Sequence, residues 1–150
     1  MNSAPTAAVD YAAAARRHLV DGRLLQQHER LANAGQLFGF SVECGLKALL
    51  LVCGVPADAE GGIPGGHKFR THMPVLKDRI EANGQLVPDG ALSARYWALL
   101  PGIGNLGDWS VDHRYWRESE LPLGSIPRWE SAAGEINDML DQAREDGVIQ

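Results

Sequence analysis

Glu43 and Lys47 stand four residues apart inside LFGFSVECGLKALLLVCG, the stretch 37–54, which is otherwise apolar enough for the centre of a core. One helical turn separates them in the favourable acid-before-base order. On a solvated face such a pair contributes about 0.3–0.5 kcal/mol. Phe40, Val42, Cys44, Leu46 and Leu49 to Leu51 leave little of the helix circumference for water, however, so the pair is expected at a rim, an interface or a polar pocket. A second concentration of chemistry is DWSVDHRYWR, Asp108 to Arg117, which holds two acids, two arginines, a histidine and three aromatic residues. Two readings of it stand side by side. It is an aromatic wedge closing one end of a bundle, with Asp108 capping a turn. Alternatively it is a face that stacks on a base or anchors a partner while Arg114 holds a phosphate or carboxylate.

Other patterns carry less. Gly102, Gly104 and Gly107 match G-x-G-x-x-G but lack the preceding strand and following helix that a dinucleotide site needs. Gly61 and Gly66 have the spacing of a P-loop, yet His67 follows where lysine is required, so the segment is expected to be a flexible loop. His67 and His72, with His113, Cys44 or Asp108, have no recurring metal-ligand spacing and are expected to serve loops and caps. Cys44 and Cys53 are too far apart on one helix for a disulfide and are expected to be reduced.

The chain of 150 residues, with 45% hydrophobic and 22% charged residues, suits one globular domain. Its net charge of −5 argues against a general nucleic-acid coat but permits a local basic patch. The N-terminus lacks the order of a signal peptide, and the longest uncharged apolar run, 48–56, is short for a membrane span. A cytoplasmic protein without membrane partners is expected, its residues 1–5 disordered.

Periodicity predicts a helix starting at Thr6 or Asp10 and reaching Leu31, with Gly22 tolerated inside it. A second runs from about Ala32 to Cys53 and is stopped by Gly54 and Pro56. On it Ala34, Ser41, Gly45, Ala48 and Val52 form a ridge of small residues that admits another helix closely. A third helix follows Thr71 as N-cap, a fourth spans Ala91 to Leu100, and a last begins near Pro127. No strand is evident. The class is all-α, an antiparallel bundle of four to five helices.

Three stretches together resemble the HEPN domains (higher eukaryotes and prokaryotes nucleotide-binding). NAGQLFGFSVECGLKALL resembles the family's second helix and its E-C-x-L-K-A pattern, placing Glu43, Cys44, Leu46, Lys47 and Ala48 on family positions. RTHMPVL resembles H-x-x-x-L, through His72 and Leu76, and DWSVDHRYW resembles W-x-x-x-x-R-Y, through Trp109, Arg114 and Tyr115. The likeness covers roughly residues 8 to 148. It implies a helical bundle, usually dimeric, that is either a ribonuclease of toxin–antitoxin and defence systems or a noncatalytic binder of a nucleotide, RNA or a nucleotidyltransferase. The ribonuclease branch carries an arginine and a histidine four to six residues apart near the start of a late helix. Here no histidine follows Arg114 or Arg117. Arg23 and His28 have the spacing, but on the first helix, where they would point about 140° apart.

The expectation is therefore a homodimeric, noncatalytic binding domain. Its candidate ligand-binding residues are Glu43, Lys47, His72, Asp108, Trp109, Arg114 and Tyr115, with Glu43, Lys47, His72 and Arg114 around one pocket. No catalytic residue, metal or cofactor is assigned. The alternative is a ribonuclease built on a noncanonical set such as His72, His113 and Arg114.

Overall fold

A computed structural model describes residues 7–150, so the expected disorder at 1–5 lies outside the described residues. They are all-helical, without strands. The α-helices are α1 (Tyr11–Gln27), α2 (Leu31–Val52), α3 (Val75–Ala82), α4 (Gly90–Trp97) and α5 (Ile126–Glu145), with short 3-10 turns between α3 and α4 and along 103–125.

Local chemistry explains most boundaries. Asp10 caps α1 by accepting from the Ala13 amide at 3.0 Å, and Asp89 caps α4 by accepting from Leu92 at 3.0 Å. The first helix ends at Gln27 rather than at Leu31, because His28 closes it and Glu29 turns the chain at φ 58°. Thr71 does not cap α3. That helix starts at Val75 with Pro74 at its N-cap, since a residue preceding proline is disfavoured in the helical region.

The core is α2, flanked by α1 and α5. Along α1, Tyr11, Ala15 and Gly22 meet Lys47, Ser41 and Phe38 respectively, so these helices are antiparallel. Along α5, Trp129 and Ile136 meet Gly35 and Gly45, so α5 runs parallel to α2. The expectation of a uniformly antiparallel bundle is corrected at this pair: the long connection 98–125 returns the chain to the end where α2 began.

The small-residue ridge is what lets three helices meet. A Cβ on Gly45 would stand 2.3 Å from Ile136 Cγ1, and Ser41 Oγ donates to the Ala15 carbonyl at 2.7 Å while accepting from Asn137 Nδ2 at 2.9 Å. The helices that the ridge admits are thus α1 and α5 of the same chain. By length and apolarity α2 could cross a membrane, but 67% of that window is buried within the fold, as befits a core helix.

The 53–74 segment forms no α-helix, yet it is anchored. Asp58 accepts from the Glu60 and Gly62 amides, Tyr11 Oη accepts from Ile63, and Ile63 and Phe69 are buried. The segment expected to be a flexible loop is thus tied to α1 and to itself by these contacts. Its far end lays His72 against α2.

Candidate functional site

Glu43 and Lys47 are both buried, more deeply than a rim position requires. Glu43 Oε2 accepts from Lys47 Nζ at 3.1 Å, and Oε1 lies 2.9 Å from His72 Nδ1. A carboxylate only accepts, so His72 carries its proton on Nδ1 and leaves Nε2 at a half-exposed rim. The Lys47 ammonium also lies 5.9 Å from the centre of the Tyr11 ring, a cation–π approach. Phe40 extends this rim, with its ring 6.0 Å from His18, 6.4 Å from His72 and 5.6 Å from Trp109.

Burial lowers the pKa of His18, and Arg17 adds to that. Burial likewise pushes the Cys44 and Cys53 thiols up to about 11, so they are protonated at neutral pH and poor as nucleophiles. Among the described residues no group of three His, Cys, Asp or Glu side chains could hold a metal ion.

The 108–117 segment divides by direction. Trp109 is almost wholly buried, its indole N–H donating to the Gly35 carbonyl at 3.0 Å, so it has no ring face for a ligand. This corrects its placing among the ligand-binding candidates. Asp108 is exposed, but its carboxylate is engaged within the chain. It accepts from Ser125 and, at 2.9 Å, from Trp129 Nε1, and it pairs with Arg128 at 3.4 Å, tying the connection to the first turn of α5. His113 is buried between Trp116 and Trp129, with centroids at 4.5 and 5.9 Å, and burial lowers its pKa.

Arg114 and Tyr115 turn outward. Tyr115 is 75% exposed, with the Arg114 guanidinium 4.8 Å from its ring centre. Among the described residues Glu43 bonds Lys47 and His72, and no hydrogen bond or ion pair extends that group to Arg114. Trp116, 49% exposed, and Arg117 are also exposed and are missing from the candidates. They are missed because the likeness to W-x-x-x-x-R-Y ends at Tyr115 and names neither residue. The Arg23 and His28 pair is separated in role as well: Arg23 bonds Glu130 at 3.1 Å and His28 closes α1.

Asp108 gives the acid limb of stability a specific origin. Burial alone would raise its pKa, but hydrogen bonds from Ser125 and Trp129 outweigh that and hold it below the ordinary 3.8. A depressed carboxylate contributes stability that is complete above its unfolded value and lost as pH falls through the folded one. Thermal melts of Asp108→Asn should therefore be less steeply pH-dependent below pH 3.8 than those of the parent. Equal steepness in the two proteins would remove Asp108 from the account.

No family model, curated protein or solved structure matches the chain.

Proposed function

We propose that the chain is a noncatalytic HEPN-like binding domain whose outward Arg114–Arg117 face holds a nucleotide or a short single-stranded RNA. The observation that carries this reading is the joint exposure of Tyr115 and Trp116 between two arginines that form no ion pair among the described residues. Exposed rings accept bases by stacking, worth about 1–3 kcal/mol per base, and the guanidinium groups answer phosphate charge. The meeting of Glu43, Lys47 and His72, drawn from two of the three resembling stretches, supports the HEPN-like assignment. A homodimer working in a toxin–antitoxin or defence system, with a nucleotidyltransferase as partner, belongs to the same proposal.

Fluorescence anisotropy of a labelled oligoribonucleotide, with ATP as competitor, tests it. Loss of one stacking ring in Trp116→Ala should weaken binding by about 5- to 150-fold, from that same stacking range. Unchanged affinity in both Tyr115→Ala and Trp116→Ala would sink the reading.

A ribonuclease is the second reading, favoured by one feature: Glu43 orients His72 so that Nε2 is available as a base. Cleavage also needs a cation for the developing phosphate charge. Lys47 is engaged by Glu43, and His113 is buried between tryptophans. The expected outcome is no cleavage of structured or single-stranded RNA, with or without divalent metal. Robust cleavage abolished in His72→Ala would favour the enzyme.

A further inference from the structure

A cleft of about 470 Å³ lies where the end of the 53–74 segment meets α3, lined by Gly66, His67, Lys68, Arg70, Arg79 and Asn83. No carboxylate lines it, although the chain is acidic overall. Lys68, Arg70 and Arg79 form no ion pair among the described residues, whereas Lys77 on the same helix is neutralised by Glu81 at 2.9 Å. Three unneutralised cations around one recess repel one another and concentrate positive potential there.

Hydrogen bonds hold the donors in place. Arg79 donates to the Lys68 carbonyl at 2.9 Å, Lys68 Nζ donates to Asn83 Oδ1 at 3.3 Å, and Asn83 Nδ2 donates to the Arg79 carbonyl at 2.8 Å. His67 Nδ1 accepts from the Phe69 amide at 3.0 Å, so the neutral ring carries its proton on Nε2 and is a donor there. Gly66, at φ 84°, has nothing within 4 Å of where a Cβ would stand, leaving the backbone open to close approach. The acceptors in this arrangement, Asn83 Oδ1 and the Lys68 and Arg79 carbonyls, already receive hydrogen bonds from the lining itself.

We infer that this cleft is a binding site for a compact polyanion, a di- or triphosphate group. Three cations match the several charges of a polyphosphate chain better than the single charge of a phosphodiester. The inference does not rest on the aromatic face, which is built from other residues.

Titration of the full chain with pyrophosphate, followed by calorimetry and by amide chemical shifts, tests it, with an oligoribonucleotide lacking terminal phosphates as the second arm. Saturable pyrophosphate binding should shift the amides of Gly66 to Arg70 and Arg79. Arg70 is exposed and makes no side-chain hydrogen bond among the described residues, so Arg70→Glu should fold and weaken binding by at least about tenfold, as expected for losing a charge-assisted contact. Lys68→Glu should do the same. Arg17→Glu, which changes the net charge equally at an exposed position outside the cleft lining, should leave pyrophosphate affinity unchanged. Absence of saturable binding, equal weakening by Arg17→Glu, or stronger shifts of the Gly66 to Arg70 amides by the phosphodiester oligomer than by pyrophosphate would each overturn the inference.

Discussion

Glu43→Ala should destabilise the protein by about 3–5 kcal/mol, the cost of leaving a buried charge without its partner. The substitution strands the Lys47 ammonium, which is 7% exposed and has, among the described residues, only the Tyr11 ring as further support. The same reasoning gives a contrast. Replacing both partners with apolar residues, as in Glu43→Ala with Lys47→Met, removes the orphaned charge and should recover most of the loss, because a buried ion pair contributes little net stability over well-packed apolar side chains. His72→Ala should cost far less, since the imidazole is half-exposed and water replaces it on Glu43. Urea denaturation of the four proteins measures this. A loss below about 1 kcal/mol in Glu43→Ala would mean that the pair behaves as an exposed one.

Trp109→Ala should cost a similar amount, about 3–5 kcal/mol, through lost burial and the cavity left between α2 and the 103–117 connection. The ring fits there only because residue 39 is glycine: a Cβ at that position would stand 1.9 Å from Trp109 Cε2. The indole is held to the Gly35 carbonyl and cannot retreat freely. Gly39→Ala therefore sets an overpacking cost of about 1–3 kcal/mol, at the upper end for so deep an overlap, against about 1 kcal/mol gained from helix propensity. A net loss near 2 kcal/mol is expected. In the Trp109→Ala background the overlap is gone while the propensity gain persists, so the same Gly39→Ala should stabilise. That reversal of sign, read by chemical denaturation, tests the contact directly, and a cost for Gly39→Ala that is equal in both backgrounds would show that the glycine is needed for some other reason.

Both results turn on α2, where the sequence was informative about the helix and silent about its surroundings. Asp10, Gly54 and Pro127 mark element ends through a cap, a left-handed C-terminal turn and a fixed φ, all of which act within a few residues. Apolar spacing of 3.6 likewise makes the all-α class readable, because it repeats inside each helix. These are local effects, and local effects survive in a linear string.

The direction of α5 along α2, the fate of the small ridge and the depth of Glu43 depend instead on contacts between residues far apart in the chain. Gly45 meets Ile136, Ser41 meets Asn137, and His72 comes back to Glu43 across the whole 53–74 segment. Spacing along one helix fixes that Glu43 and Lys47 can pair, but whether water reaches them is set by what the remaining chain lays over that face. The same division runs through 108–117. Its composition announced aromatic and cationic chemistry, whereas only the packing of Trp109 against Gly39 and of His113 against Trp129 decided which rings turn inward and leave Arg114, Tyr115, Trp116 and Arg117 to the solvent.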